Sequence, residues 1–125
     1  MLNLRSGAGL VLIAEDDAST RDAVDAMLEE LGITDVVTAQ NGEQALKVLE
    51  ERQFGTLLLD LMMPKIDGYK ILKELRKVNY NRPDRVIVLS AHAQPAELDG
   101  LMALGADIFM PKPFTMTDLE GVLVK

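Results

Sequence analysis

The chain contains no cysteine, so neither a disulfide framework nor thiolate metal ligation is open to it. That absence fits a reducing, cytoplasmic compartment. No apolar run approaches the roughly 18 residues of a membrane-spanning helix. Met1 to Gly9 also lacks the apolar core of a signal peptide. A soluble protein with no membrane partner is expected. Basic charge is in short supply: 13 Lys and Arg stand against 20 Asp and Glu, a formal net charge of −7. General nucleic-acid binding needs a basic surface that displaces counterions, so direct nucleic-acid contact is not expected. Internal repeats, low-complexity tracts and linkers are absent as well.

What is present suffices for one core. The 125 residues, 48% of them apolar, favour a single domain that buries about two-thirds of its unfolded surface. Strand-like runs fall at Leu10–Ala14, Asp35–Thr38, Thr56–Asp60, Val86–Leu89 and Asp107–Met110. Helical stripes alternate with them. Val24, Met27, Leu28 and Leu31 recur at helical spacing, with Ser19 and Asp22 as a capping box and Gly32 as the stop. Ala45, Leu46 and Leu49 follow the Asn41-Gly42 turn, and Ile71, Leu72, Leu75 and Val78 run toward Arg82-Pro83. Leu98, Leu101 and Met102 stop at Gly105, and Leu119, Val122 and Leu123 make the last stripe. This alternation predicts an α/β fold, a doubly wound (βα)5 parallel sheet with helices on both faces.

The apolar run Leu57-Leu58-Leu59 ends abruptly in Asp60, followed by Leu61-Met62-Met63-Pro64 and a turn-forming Asp67-Gly68. Such a run reads as a strand buried on both faces, with Asp60 where it leaves the core. The run Leu10 to Ala14 ends likewise in Glu15, Asp16 and Asp17. Parallel strands finish at one edge, the edge where open α/β sheets bind ligands. Acids on two such ends predict a divalent-metal site with a reactive aspartate.

Several separated motifs give this chain a family resemblance. They are Val-Leu-Ile-Ala-Glu-Asp-Asp at 11–17, Leu-Asp-Leu-Met-Met-Pro with Asp67-Gly68, Leu-Ser-Ala at 89–91, Gly-Ala-Asp at 105–107 and Pro-Lys-Pro-Phe at 111–114. In this order the set resembles the receiver domain of two-component response regulators, over roughly residues 10–124. On that reading residues 1–9 are an N-terminal extension and 10–125 the receiver domain. The resemblance implies a flavodoxin-like strand order 2-1-3-4-5 and phosphorelay signalling. Asp60 would be the phosphoacceptor for a histidine kinase or a histidine phosphotransfer protein. Asp16 would bind Mg²⁺ directly and Glu15 through water, with Asp60 and the Met62 backbone carbonyl also ligating; Mn²⁺ is an alternative ion. Ser90 and Lys112 would engage the phosphoryl oxygens, the bond from Lys112 to Pro113 would be cis, and Phe109 with Ser90 would form the switch. Met62 and His92 would tune how readily water attacks the aspartyl phosphate. No enzyme activity beyond self-phosphorylation and self-dephosphorylation is implied. A downstream effector or output domain, and a phosphorylation-dependent homodimer, are the implied partners.

The chemistry supports these roles on separate grounds. Clustered carboxylates raise one another's pKa unless countered, and a hard cation with oxygen ligands counters them. A carboxylate nucleophile attacking phosphorus needs the same cation to offset charge on the phosphoryl oxygens, to which a lysine adds a second positive charge and a serine a neutral donor.

Plainer readings hold elsewhere. An acid after a strand is ordinarily a helix cap or loop residue, and that is the reading for Asp17. Phe109 fits a sheet-edge core residue as well as a switch. His92 reads as a solvent-facing loop side chain, since a phosphoacceptor aspartate needs no general base. Lys70, Lys73, Arg76, Lys77, Arg82 and Arg85 lack interleaved aromatics and read as a solvated helix face. Three other functions stay open. A metal-dependent phosphohydrolase would carry a second aspartate two residues after the nucleophile, where Met62 stands. A phosphorylation-independent adaptor would have a degraded pocket. The chain also fits a receiver excised from a longer regulator.

Overall fold

The computed structural model describes residues 9–63, 67–77, 79–91 and 95–123. The elements alternate as the hydrophobic pattern requires: β1 (Val11–Ala14), α1 (Ala18–Glu30), β2 (Val36–Ala39), α2 (Gly42–Glu51) and β3 (Thr56–Asp60). They continue as α3 (Gly68–Glu74), β4 (Arg85–Ser90), α4 (Pro95–Ala103), β5 (Ile108–Pro111) and α5 (Met116–Leu123). The five strands are parallel in the order β2-β1-β3-β4-β5. β3 has the bounds expected from the sequence, and the ends of the other strands differ from expectation by at most one residue, as terminal pairing usually does.

Period-two alternation splits the strands between two cores. Leu12, Ala14, Leu57, Leu59, Val86 and Val88 face α2, α3 and Leu101 of α4. Val11, Ile13, Leu58, Ile87 and Leu89 face Val24 and Leu28 of α1 and Leu119 and Leu123 of α5. β1 and the interior positions of β3 and β4 are therefore apolar because each face has a helix layer on it. Among the described residues, no helix is long and apolar enough to cross a membrane.

Three helical expectations need correction. The first helix starts at Ala18, and its cap is Asp17, as the cap reading of that residue expects, its carboxylate accepting the Thr20 N–H at 2.9 Å; the Ser19–Asp22 box lies inside the helix instead. The third helix ends at Glu74, where bonds from Arg76 to Lys73 and from Lys77 to Glu74 tighten the chain to i→i−3; Val78 lies outside the described residues. In the fourth, Leu101 is buried while Met102 is half exposed. The stop glycines are as expected: Gly32 and Gly105 have φ of 85° and 109°, which a side chain would strain.

The basic cluster is only partly a solvated face. Lys70 and Lys77 flank Glu74 at 3.1 and 2.9 Å, exposed pairs that contribute little. Arg76 and Arg82 instead donate to the carbonyls of Ala103 and Gly105 at the end of α4. Arg85 donates to Leu123 at 2.6 Å at the end of α5. Cations there satisfy helix-terminal carbonyls and complement the helix dipole.

Gly68 fixes the loop that follows β3. Its N–H donates to the Leu61 carbonyl at 3.0 Å. A Cβ on it would lie 2.9 Å from the Leu61 Cα and 3.0 Å from the Asp60 carbonyl oxygen, backbone atoms that cannot swing away. Gly68→Ala should therefore lower stability by about 1–3 kcal/mol through overpacking. Urea unfolding would register it as a lower midpoint at unchanged slope, and an unchanged midpoint would mean the loop yields freely.

Candidate functional site

Because β1 and β3 are neighbours, their carboxyl ends bring the acids together. Pairing with β2 continues one residue past β1, through the Glu15 N–H to the Ala39 carbonyl at 3.1 Å. Oxygens of Glu15, Asp16 and Asp60 all lie within 4.8 Å of one another. Glu15 and Asp60 are buried, at 1% and 4% exposure, and Asp16 is exposed. The Asp17 N–H donates to Glu15 Oε2 at 3.2 Å, and the Met62 N–H to Asp60 Oδ1 at 3.3 Å.

Lys112 arrives from the far side of the sheet. Its N–H donates to the Ser90 carbonyl at 2.9 Å, which prolongs the β4–β5 ladder, and its bond to Pro113 is cis. From there Nζ reaches Glu15 Oε1 at 2.6 Å and Asp60 Oδ1 at 3.4 Å. Ser90, buried at the end of β4, faces Pro111 in register. The pocket thus draws on four strands.

Electrostatics follow from this crowding. Burial, then the hydrogen bond and negative charge of Glu15, push Asp60 up to about 7 against the opposing Lys112 charge and Met62 N–H. Lys112 is disfavoured as a cation by burial, yet its bond to Glu15 and the charges of Asp60 and Glu15 hold it above its ordinary value. Asp17 sits below its ordinary value because the Thr20 hydroxyl and N–H donate to it, the signature of a helix cap.

Glu15, Asp16, Asp60 and Lys112 thus converge, and Ser90 lies at the neighbouring end of β4. Phe109 stands apart, half buried on the edge strand β5 and packed against the core on the α2–α4 side. The Met62 side chain points outward, 76% exposed; His92 lies outside the described residues. One contributor escaped the sequence reading. Arg21 Nη1 donates to the Glu15 carbonyl at 2.8 Å and more weakly to that of Asp16 at 3.4 Å. Its one sequence-level signal is a cation in a helix's first turn, where the dipole disfavours it.

The family model described as the response regulator receiver domain matches residues 11–123. This chain belongs to that family. The receiver domain is 38% identical over 111 residues to the probable transcriptional regulator ycf27 of Guillardia theta, covering 89% of this chain and 42% of that protein. It is 40% identical over 109 residues to the CpxR homolog of Haemophilus influenzae, a transcriptional regulatory protein, covering 87% and 46%. The chain therefore spans less than half the length of these relatives. Among solved structures, chemotaxis protein CheY4 of Vibrio cholerae superposes with a TM-score of 0.82 at 27% identity, covering 91% of this chain and 94% of that one. The receiver domain of a Pseudomonas aeruginosa sensor histidine kinase gives 0.80 at 28% identity, covering 90% and 92%, and holds magnesium in its active-site cleft. The present chain is accordingly a receiver domain of two-component signal transduction.

The donor set fits a hard dication: its acids offer only oxygen, with no soft ligand in the group. A proton on Asp60 competes with such an ion, so affinity should rise with pH. The same group sets a stability trend. Its folded pKa lies above the ordinary carboxylate value, so it contributes stability at low pH that is lost as pH rises toward about 7. In EDTA, Asp60→Asn should exceed wild type in stability at pH 8 by about 1–3 kcal/mol, with the gap closing toward pH 5. Denaturant titrations across that range would expose a wrong account as a pH-independent gap.

Proposed function

We propose that this receiver takes a phosphoryl group on Asp60 from a phosphohistidine donor and thereby switches a protein-binding surface. The observation that carries the reading is the gathering of Glu15, Asp16 and Asp60 oxygens within 4.8 Å, with the Lys112 ammonium on two of the acids. An Asp60 oxygen attacks phosphorus, the P–N bond to the donor imidazole breaks, and its electron pair returns to nitrogen. Mg²⁺, or Mn²⁺ in its place, neutralises the acids and offsets charge on the phosphoryl oxygens when bound. Glu15, Asp16, Asp60 and the Met62 carbonyl are the residues that would hold it. Lys112 supplies a second positive charge and Ser90 a neutral hydroxyl donor to the incoming oxygens.

Chemistry on its own Asp60 is all the catalysis this reading assigns; it is not an enzyme acting on other substrates. A cytoplasmic histidine kinase or phosphotransfer protein is the donor. The recipient is an effector protein, an output domain or a second copy. Two transcriptional regulators, of whose length the receiver spans under half, favour an output domain as the recipient. Incubation with acetyl phosphate and Mg²⁺ should add one phosphate by mass, lost in Asp60→Asn or with EDTA. Modification that survives in Asp60→Asn would put the acceptor elsewhere.

The signal leaves through Ser90 and Phe109. Added charge on Asp60 draws the Ser90 hydroxyl and the end of β4 toward it, opening space into which the Phe109 ring turns from β5. Moving a mostly inactive population to a mostly active one takes on the order of 3–5 kcal/mol, within reach of charge-assisted hydrogen bonds in a partly dry pocket. Beryllofluoride, a phosphoryl mimic, should shift NMR resonances from Asp60 through Ser90 to Phe109, Leu98 and Met102, and Ser90→Ala should block the spread. Shifts confined to the pocket would mean phosphorylation without switching.

A further inference from the structure

Arg21 is placed where a helix resists a cation. It lies at the end of the first turn of α1, which itself carries no acidic residue, although the Asp17 cap carboxylate is close enough to feel its charge. Its guanidinium turns back instead onto the Glu15 carbonyl at 2.8 Å and the Asp16 carbonyl at 3.4 Å. The loop from Glu15 to Asp17 is otherwise held by backbone pairing to Ala39, by the Asp17 cap on α1 and by Lys112 on the Glu15 carboxylate. Arg21 alone among these grips the peptide carbonyls of both acids.

That grip matters differently for different ions. Mg²⁺ demands a near-ideal octahedron with oxygens at about 2.0–2.1 Å, whereas Ca²⁺ accepts six to eight ligands at about 2.3–2.6 Å in flexible geometry. A pinned backbone keeps the two carboxylates close enough for the small ion, and a loosened one spares the large ion most of the loss. We infer that Arg21 is a positioning residue that gives this pocket its preference for magnesium over calcium. The inference rests on reading the acidic pocket as a magnesium site.

The positive charge of Arg21 repels both dications alike, so the ratio of their affinities isolates the geometric effect from the charge. Calorimetric titrations with MgCl₂ and with CaCl₂, at one pH and ionic strength, would compare wild type, Arg21→Lys and Arg21→Gln. Melting curves in EDTA would establish that each variant is folded. The Mg²⁺/Ca²⁺ affinity ratio should fall about tenfold in both variants, the low end of what losing a group that orients a ligand costs. Arg21→Lys keeps the charge but replaces the rigid guanidinium, whose Nη1 meets both carbonyls, by a flexible ammonium, so its calcium affinity should stay near that of wild type. Arg21→Gln removes the charge and should bind calcium more tightly. A ratio unchanged in both variants overturns the inference, as does equal weakening of both ions, which would assign Arg21 to general stability. Wild type that binds neither ion would reject the metal site itself.

Discussion

Like-charge repulsion at one edge of the sheet is the constraint around which this molecule is arranged. Two unit charges about 4 Å apart interact by about 4 kcal/mol at the effective dielectric of a protein surface. Glu15, Asp16 and Asp60 hold their oxygens within 4.8 Å of one another. Lys112 answers that repulsion by touching two of the three. Its partner Glu15 lies 97 residues away in sequence, so the ion pair exists only once β5 has joined the sheet. Completing the fold and assembling the pocket are one event.

The sheet order makes that assembly possible. Adjacency of β1 and β3 brings Glu15 and Asp60 side by side, and β4 and β5 carry Ser90 and Lys112 in from the opposite side. Helices enter and leave through side-chain caps that free the strand ends from supplying hydrogen bonds. Asp17, Asn41 and Asp67 each accept an N–H from the first turn of the helix they precede. Arg76, Arg82 and Arg85 close the far ends of α4 and α5. Residues α3 to β4 thereby grip the two helices that flank the edge strand carrying Phe109.

The parts legible in the sequence are those whose signal is local. An uninterrupted apolar run such as Leu57-Leu58-Leu59 needs helices on both faces, and both are there. Its terminal Asp60 needs a partner, and Lys112 was named by the motif around it. The misreadings arose where a side chain chooses between neighbours that sequence does not rank. Asp17 and Ser19 are both good caps, and the turn of chain after Glu15 decided for Asp17. Arg76 and Arg82 look like any solvated basic residue, because the carbonyls they bind belong to a helix more than 20 residues further on. Arg21 escaped for a related reason: it binds backbone oxygen, which every residue offers and no motif marks.

Asp60 ties the constraint to the function. A buried carboxylate held up to about 7 is a burden on the fold near neutral pH. It is also a poor nucleophile while it holds its proton. Natural sequences break a local rule mainly where function requires it, and a third acid in an already acidic pocket is such a break. A surface aspartate would cost the fold nothing, but neither Lys112 nor Ser90 would have a reason to move when its charge grew. The buried one is held in balance by Lys112, shared with Glu15. On the proposed reading, charge added to Asp60 would redistribute that lysine between its two partners and draw along the β4–β5 ends attached to it.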